Sequence, residues 1–377
     1  MTPRHGRPPC VLVVSPVPSH PADQGNAARI QAMGRELMAR GAVCEFLYYA
    51  AEGCAPAQEA AMAAFWHGFH LVPPQPPARP GMPGVWALDD WCPAFLADQV
   101  ARLHRDRRFD AVLVHYVWMS RALEGAEGAL RVLDTHDLFG DRHLAAREQG
   151  LDPSWFFTTR EEEARGLARA DLVLAIQEAE AAALRERSAA PVLTLGHMPP
   201  LRFLRAGAAP PPRATFGYFG SGNPWNVASV QALDAALAEA PELSWLLAGQ
   251  ITRRDLRLRS RPVLLGPVRE AEEFYRAVEC VLNPMAGGTG LKIKTVEALA
   301  AGLPVLGTRD AFAGLPAEHP GHGSADVPGV VALMREYGRS EAFRRDLRRA
   351  SRLLAFRCAA AVARQADILA ALLARGA

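Results

Sequence analysis

The segment 283–306 has the side chains with the clearest potential for chemistry, because it combines a glycine-rich loop with two lysines and a glutamate. Glycines let backbone N–H groups approach a phosphate, and the N-terminus of a following helix adds a positive field. Lys292 and Lys294 add charge beside the loop, and Glu297 lies three residues after Lys294, on the same helix face. A carboxylate there can accept hydrogen bonds from two ribose hydroxyls, so the segment predicts a site for a nucleotide diphosphate. The glycines alone fit an ordinary strand–loop–helix unit equally well.

The two lysines also stand out in the composition. Of the 42 Lys and Arg residues, only Lys292 and Lys294 are lysines. A GC-rich genome accounts for the scarcity of lysine, which is normally a common residue. It does not account for two lysines that lie two positions apart. Because a compact ammonium and a planar guanidinium bind phosphates differently, we expect Lys292→Arg and Lys294→Arg to behave differently.

Length and composition indicate a globular protein with two domains. The chain has 377 residues, half of them hydrophobic and 22% charged. A net charge of +2 is too small to indicate a nucleic-acid partner. The six cysteines are scattered without a Cys-x-x-Cys pair, which predicts a reducing, cytoplasmic setting and no structural metal. Asp89 and Asp90 are a poor metal candidate because the sequence places no third ligand beside them.

Apolar runs that alternate with helical stretches predict an α/β protein with parallel sheets. The two tandem Rossmann-like halves predict a ligand site at the carboxyl ends of the strands, in the cleft between the domains. We expect an N-terminal domain over 1–200, a C-terminal domain over 201–352 and a terminal helical segment over 353–377. The predicted strands are 10–14, 43–49, 111–115, 131–134, 171–176 and 191–195, then 215–219, 243–248, 263–265, 280–283 and 304–306.

The segment 283–306 resembles the signature of the group 1 (family 4) glycosyltransferases of the GT-B fold. The matching residues are Lys294, Glu297, Ala298, Leu299, Ala300, Gly302, Pro304 and Val305. The stretches 216–226, 246–249 and 263–268 also look like this family, and the resemblance covers most of residues 213–356. It implies two Rossmann-like domains and a C-terminal helix that returns toward the N-terminal domain. It also implies transfer of a sugar from a nucleotide diphosphate donor to a hydroxyl acceptor, without a metal or a further cofactor.

The resemblance assigns roles to individual residues around the donor. Glu297 would bind the ribose, and Lys292 or Lys294 would neutralise the diphosphate. Val268 would lie against the base. Two loops would offer backbone N–H groups to the phosphates and the sugar: Gly220, Ser221, Gly222 and Asn223, and then Gly288, Thr289, Gly290 and Leu291. The family often has a further glutamate eight positions before Glu297, where this chain has Thr289. A retaining reaction is implied, and Thr289 leaves the stereochemistry and the donor sugar open.

Polar residues of the N-terminal half follow two predicted strands. The loop before the first helix resembles the first loop of such enzymes, and its residues His20, Asp23, Gly25 and Asn26 are candidates for acceptor contacts. Asn26 is also a candidate helix cap, and an isolated His20 fits a surface histidine well.

The catalytic candidates follow the strand 131–134. The family carries a histidine at this place, so His136 is expected to bond the sugar or the leaving group, with Asp137 beside it. For an inverting reaction, Asp137 or Asp23 would be the base. The acidic run 160–163 is better explained by a capping box, in which Thr159 pairs with Glu162.

Other functions remain as alternatives. Because Thr289 stands where the family often has a glutamate, the chain could also be a catalytically silent GT-B module that binds a nucleotide or a protein. An oxidoreductase lacks the expected Gly-x-Gly-x-x-Gly motif after the first strand, and the chain is short for a pyridoxal-phosphate phosphorylase. The acceptor would be a glycan, a lipid-linked sugar or a natural product. An arginine-rich helix over 336–375 fits contact with an anionic membrane at its inner face, although a solvated helix is the simpler explanation.

Overall fold

The computed structural model describes residues 7–22, 24–76, 79–153, 155–204, 211–268 and 270–376, apart from the side chains of the last two. The chain divides into two compact units. The N-terminal unit comprises residues 1–196 together with 362–377, and the C-terminal unit comprises residues 197–361. The predicted α/β class is confirmed, because each unit contains a parallel sheet with helices. Asp23, one of the predicted acceptor-side residues, lies outside the described residues.

The N-terminal unit is built on a seven-stranded parallel sheet with the order β3-β2-β1-β4-β5-β6-β7. Its central strands are continuous apolar runs, because a parallel sheet is covered on both faces. Residues 11–14 are at most 2% exposed. The strands are β1 (Cys10–Ser15), β2 (Val43–Tyr49), β3 (Gly68–Val72), β4 (Ala111–His115), β5 (Leu130–Asp134), β6 (Leu172–Ala175) and β7 (Val192–Thr194).

The helices of the N-terminal unit connect these strands. They are α1 (Gly25–Ala39), α2 (Pro56–Phe65), α3 (Phe95–Arg107), α4 (Arg142–Glu148), α5 (Arg160–Leu167) and α6 (Glu178–Arg185). The prediction that Asn26 caps α1 is wrong. Gln24 is the N-cap residue, and Asn26 lies inside the first turn, where its Oδ1 accepts a hydrogen bond from the N–H of Ala27 at 2.9 Å. Thr159 does cap α5, since its side chain accepts from the N–H of Glu162.

The C-terminal unit has a five-stranded parallel sheet with the order β10-β9-β8-β11-β12. Its strands are β8 (Ala214–Phe219), β9 (Trp245–Ala248), β10 (Val263–Gly266), β11 (Val278–Asn283) and β12 (Val305–Gly307). Its helices are α7 (Pro224–Ala238), α8 (Ala271–Ala277), α9 (Ile293–Ala300), α10 (Val327–Arg339) and the long α11 (Glu341–Gly376), whose last residues belong to the N-terminal unit. No helix in the described ranges is long and apolar enough to cross a membrane.

Both sheets reverse their strand order at one point, which is where ligands bind in open α/β sheets. In the N-terminal unit the reversal lies between β1 and β4, and in the C-terminal unit it lies between β8 and β11. The two groups of residues that the sequence selects lie at the carboxyl ends of these strands or of a direct neighbour. His136 follows β5, next to β4, and the two glycine-containing loops follow β8 and β11.

Candidate functional site

The first glycine-containing loop (220–223) follows β8 and is held by two asparagines. Asn223 caps α7, because its Oδ1 accepts a hydrogen bond from the N–H of Asn226 at 2.8 Å. Asn226 in turn donates from Nδ2 to the carbonyl and the hydroxyl of Ser221, each at 3.0 Å. Arg254 donates to the carbonyl of Gly222 at 3.0 Å. The loop is therefore ordered by side chains before any ligand binds.

The second loop (286–290) follows β11 and has a left-handed backbone. Gly287, Gly288 and Gly290 have φ values of 75–78°, which side chains rarely adopt. The ammonium of Lys292 donates to the carbonyl oxygens of Gly288 (3.0 Å), Thr289 (3.2 Å) and Gly290 (2.9 Å). Lys292 therefore binds the loop itself. It also precedes the first residue of α9, so its contacts fix the loop at the N-terminus of that helix.

Lys294, in the first turn of α9, contacts a different set of groups. Its ammonium donates to the hydroxyl of Tyr218 at 2.6 Å and to Oδ1 of Asn226, and it lies 4.5 Å from the centre of the Tyr218 ring. Burial, together with the charge of Lys292, lowers the pKa of Lys294 to about 7. Asn226 also donates a hydrogen bond to Ser221. It therefore links Lys294 to the loop after β8. A positive charge at this place is costly in the empty protein, and an anion would compensate it.

Glu297 is an acidic residue that lies one turn further along α9. Its carboxylate accepts a hydrogen bond from the hydroxyl of Tyr275 at 3.2 Å. Burial raises its pKa to about 7, against the hydrogen bond from Tyr275 and the charge of Lys294, which lower it. A half-buried carboxyl with one protein donor keeps further lone pairs for a ligand.

The remaining donor-side candidates lie on the segments that follow β8, β10 and β11. Thr289 is exposed at the tip of its loop, and Leu291 is 9% exposed at the entry to α9. Val268 is half-buried after β10, the edge strand. Gly220 is packed closely, because a Cβ on the neighbouring Gly249 would lie 2.4 Å from the Gly220 carbonyl oxygen.

His136 belongs to a buried cluster at the carboxyl ends of β4 and β5. Its Nε2 lies 3.1 Å from Oδ2 of Asp134 and 2.8 Å from Nδ1 of His115. Arg29 of α1 binds both carboxylate oxygens of Asp134, at 2.9 and 2.5 Å. Burial lowers the pKa of His136 to about 4, although Asp134 acts in the opposite direction. The imidazole is therefore neutral at physiological pH.

The other N-terminal candidates are less tightly grouped. Asp137 accepts a hydrogen bond from the N–H of Leu138 at 2.8 Å and pairs with Arg142 at 3.5 Å. His20 bonds the hydroxyl of Ser19 at 3.0 Å, and burial lowers its pKa. Gly25 begins α1, and Asn26 lies beside the hydroxyl of Tyr116, whose ring stacks on His136.

One group of possible metal ligands occurs among the described residues, formed by His115, Asp134 and His136. A cation does not suit it, because the buried guanidinium of Arg29 already neutralises Asp134 through both oxygens. Asp89, which the sequence disfavours as a ligand, is paired with Arg121 and Arg169.

Sequence reasoning missed the residues that link these groups. Tyr218 and Asn226 lie in the stretch 216–226 that resembles the family, but no local pattern assigns them, or Tyr275, a contact with Lys294 or Glu297. Arg29 does leave a signal, because it is a charged residue four positions before Met33, on the buried face of α1. A buried arginine requires a buried acid, and the tertiary structure supplies Asp134.

Comparison with protein families gives matches to both units. The family model described as "Glycosyl transferases group 1" matches residues 213–350, and the "Glycosyl transferase 4-like domain" model matches residues 24–195. No curated protein sequence matches the chain.

Solved structures match over nearly the whole length. Sucrose-phosphate synthase from Thermosynechococcus elongatus is 18% identical with a TM-score of 0.71, covering 97% of this chain and 99% of that one. Anabaena HepE in complex with UDP and glucose is 16% identical with a TM-score of 0.68, covering 96% and 99%. A glycosyltransferase from Rickettsia africae is 11% identical with a TM-score of 0.68, covering 98% and 100%. At these identities the structures establish a common fold. With the family matches to both units, they show that the chain belongs to the group 1 glycosyltransferases and is a glycosyltransferase of the GT-B fold.

Proposed function

We propose that this enzyme transfers a sugar from a nucleotide diphosphate donor to the hydroxyl group of an acceptor. The observation that carries the proposal is the group at the strand-order reversal of the C-terminal unit. There, two loops, the N-terminus of α9, Lys294 and Glu297 lie together. This combination suits an anionic diphosphate linked to a ribose. HepE was solved with UDP and with UDP-glucose, which supports a uridine diphosphate sugar as the first donor to test.

In the proposed reaction, the bond between the anomeric carbon and the diphosphate oxygen breaks as the acceptor oxygen bonds to that carbon. The acceptor hydroxyl loses its proton, and the diphosphate leaves with the electron pair of the broken bond. Negative charge grows on the leaving group, so preorganised donors aimed at it lower the barrier. The backbone N–H groups of 220–223 and 288–291, the N-terminus of α9 and Lys294 would supply those donors. No metal or further cofactor is required for this stabilisation.

The roles proposed for individual side chains follow their contacts. Glu297 would accept hydrogen bonds from the ribose hydroxyls, and Val268 would contact the base. Lys292 would hold the loop in the shape that exposes its N–H groups, because its ammonium already bonds three carbonyls of that loop. Lys294 would contact the diphosphate. His136, as a neutral imidazole, would bond a hydroxyl of the sugar or the acceptor.

The finer features of the reaction rest on the resemblance to the family. We propose retention of configuration at the anomeric carbon and a glycan or lipid-linked acceptor, as in bacterial polysaccharide biosynthesis. His20, Gly25, Asn26 and Asp23 are the proposed acceptor-side residues, and Asp137 is the proposed catalytic residue beside His136. A cytoplasmic enzyme that touches the inner face of a membrane is supported by α11. There, the apolar side chains Leu353 and Phe356 are about half exposed on an arginine-rich helix.

A screen of donors tests the proposal. The purified protein is heated with UDP-, GDP-, dTDP- and CMP-linked sugars, and its thermal midpoint is recorded. One nucleotide class is expected to raise the midpoint by several degrees, because it binds only the folded state. Release of nucleotide from the same donor, in the presence and absence of acceptor mixtures, then measures turnover. If none of the four donor classes raises the thermal midpoint, the proposed donor site is refuted. A shift without turnover would favour the catalytically silent module that Thr289 suggests.

A further inference from the structure

We propose that Tyr275 is a positioning residue for Glu297, and that its hydroxyl binds one oxygen of the carboxylate so that the other oxygen meets the ribose of the donor. This inference rests on the proposed function, because it specifies how Glu297 recognises the ribose. It gives a role to a buried tyrosine that lies 22 positions before Glu297 in the sequence. Tyr275 acts through Glu297 and does not need to touch the donor.

The carboxylate of Glu297 has one of its two oxygens bound by the protein. The hydroxyl of Tyr275 donates a hydrogen bond to Oε2 at 3.2 Å. Among the described residues no other side chain bonds this carboxylate, so Oε1 keeps its lone pairs. Glu297 is half-buried, and Oε1 is not one of the buried side-chain atoms of the described residues that lack a partner. An oxygen that is neither bonded nor enclosed is accessible to a ligand.

The ring of Tyr275 is fixed by its neighbours. Tyr275 lies in α8 and is 6% exposed. The centre of its ring lies 5.3 Å from that of Phe274 and 6.4 Å from that of Phe219, the last residue of β8. Phe219 and Phe274 also stack on each other at 5.3 Å and 19°. A packed aromatic group therefore holds the hydroxyl in place, while a different helix, α9, carries Glu297. A carboxylate that is already held at one oxygen loses less side-chain entropy when it binds a ligand.

The same hydrogen bond favours the ionised form of Glu297. Burial raises the pKa of Glu297 to about 7, while the hydrogen bond from Tyr275 and the charge of Lys294 lower it. Among the described residues, the titratable groups that face Glu297 are Tyr275 from α8 and Lys294 from α9. Burial and the charge of Glu297 hold the pKa of Tyr275 well above its ordinary value, so its hydroxyl remains a donor where Glu297 titrates. An ionised carboxylate accepts stronger hydrogen bonds from the ribose than a neutral carboxyl does.

Removal of the hydroxyl has an effect of definite sign. In Tyr275→Phe, one of the two effects that lower the pKa of Glu297 is lost, so the carboxyl takes up its proton at a higher pH than in the native protein. Recognition of the ribose by the ionised carboxylate is complete above the pKa of Glu297 and is lost as the pH falls through it. The loss is therefore expected to begin at a higher pH in Tyr275→Phe.

Binding of UDP and of 2′,3′-dideoxy-UDP, measured by titration calorimetry from about pH 6 to about pH 9, tests this role without reference to activity. The Kd of the dideoxy ligand divided by that of UDP, the ribose ratio, measures recognition of the ribose hydroxyls. The diphosphate, and with it the titration of Lys294, enters both Kd values equally. At pH 7 the ribose ratio is expected to be about 3–10-fold lower in Tyr275→Phe than in the native protein. The pH at which the ratio is half lost is expected to be higher in the variant.

Two further variants show whether the effect passes through Glu297. Tyr337→Phe is the matched control, because it removes another buried tyrosine hydroxyl of the C-terminal unit, and it is expected to leave the ribose ratio unchanged. In the Glu297→Gln background, Tyr275→Phe is expected to change the ratio less than about twofold, because a positioning residue acts through its partner. An equal change in both backgrounds overturns the proposal. So does a native pH dependence of the ratio in Tyr275→Phe, since a tyrosine that only fills space would not shift it.

The native protein separates this inference from folding and from the proposed function. Tyr275→Phe keeps the ring and its packing, and thermal unfolding verifies that the variant is folded. The native protein provides a measurement that needs no variant, because its ribose ratio is expected to decrease as the pH falls through about 7. A native ratio near one at every pH overturns the roles of Glu297 and Tyr275 together. A native enzyme with the expected ratio that transfers no sugar would refute the proposed function alone.

Discussion

Replacement of Lys294 by methionine is expected to make the protein more stable and its donor binding weaker. The ordinary pKa of a lysine is 10.5, and in the folded protein the pKa of Lys294 is about 7, which corresponds to roughly 5 kcal/mol against the charged form. The side chain keeps some access to water, so we expect about 1–2 kcal/mol of this cost to be measurable. Lys294→Met removes the cost and preserves most of the volume. At pH 7 the thermal midpoint of unfolding is expected to rise by about 2–6 °C.

The loss of binding has a different origin. One charged hydrogen bond to the diphosphate is worth about 1.5–3 kcal/mol, so the Kd for UDP is expected to increase about 10–150-fold. Isothermal titration measures the Kd, and calorimetry measures the stability of the same samples. Lys294→Arg is expected to lose affinity as well, because a planar fork does not fit between Tyr218 and Asn226.

Lys292→Met is the matched control, since it removes the other lysine of the chain. It breaks three hydrogen bonds to loop carbonyls, so the midpoint is expected to fall, by an amount equivalent to about 2–3 kcal/mol. The two variants therefore shift stability in opposite directions.

The pH dependence has a definite sign. Between pH 7 and 10.5 the unfolded chain binds more protons at Lys294 than the folded chain does, so native stability from this group rises with pH. The advantage of Lys294→Met is expected to shrink over that interval. The reasoning is refuted if Lys294→Met lowers the midpoint as Lys292→Met does, or if it binds UDP as tightly as the native protein.

Three further predictions concern the same unit. Glu297→Gln is expected to weaken UDP binding about tenfold, because one charged hydrogen bond to the ribose is lost, and to leave binding of an analogue without both ribose hydroxyls unchanged. Equal losses for the two ligands, measured by titration calorimetry, would contradict that assignment. In Glu297→Gln, where Lys294 titrates near pH 7 without the neighbouring carboxyl, UDP affinity is expected to decrease as pH rises through about 7, because Lys294 loses its proton there, and a Kd that is flat across this range would argue against it. Gly249→Ala is expected to lower stability by about 1–3 kcal/mol more than Gly266→Ala. Both glycines are left-handed, but only a Cβ on Gly249 meets the Gly220 carbonyl, at 2.4 Å, and thermal unfolding compares them.

Several elements were predictable because their signals are local. The strand 43–49 was predicted with the observed bounds, and 111–115 likewise, since continuous apolar runs mark buried parallel strands. The edge strand β3 was missed. It is half-buried and contains His70, so it lacks the apolar run that a central strand shows.

Helix ends were less well predicted. At the start of α7, Asn223 caps the helix and Pro224 begins it, whereas Asn226 lies inside the first turn. Asparagines occur at both positions, and only the side chain that reaches a free N–H acts as the cap. Asn26 was likewise assigned as a helix cap from its residue type alone, and that assignment was wrong because Gln24 is the N-cap residue. The boundary between the units lies at 196/197, and the terminal residues from 362 belong to the first unit.

The sequence by itself determined the family and the two α/β halves, and it predicted residues 288–297 as the centre of donor chemistry. These depend on the types and spacing of neighbouring residues, which strand, loop and helix geometry converts directly into a local arrangement. Only the tertiary structure distinguished Lys292, which bonds the loop, from Lys294, which contacts Tyr218 and Asn226 about 70 positions away. It also brought Arg29, His115 and Asp134 to His136. Such contacts join distant segments through the order of strands in a sheet, and no local pattern encodes which side chains meet there.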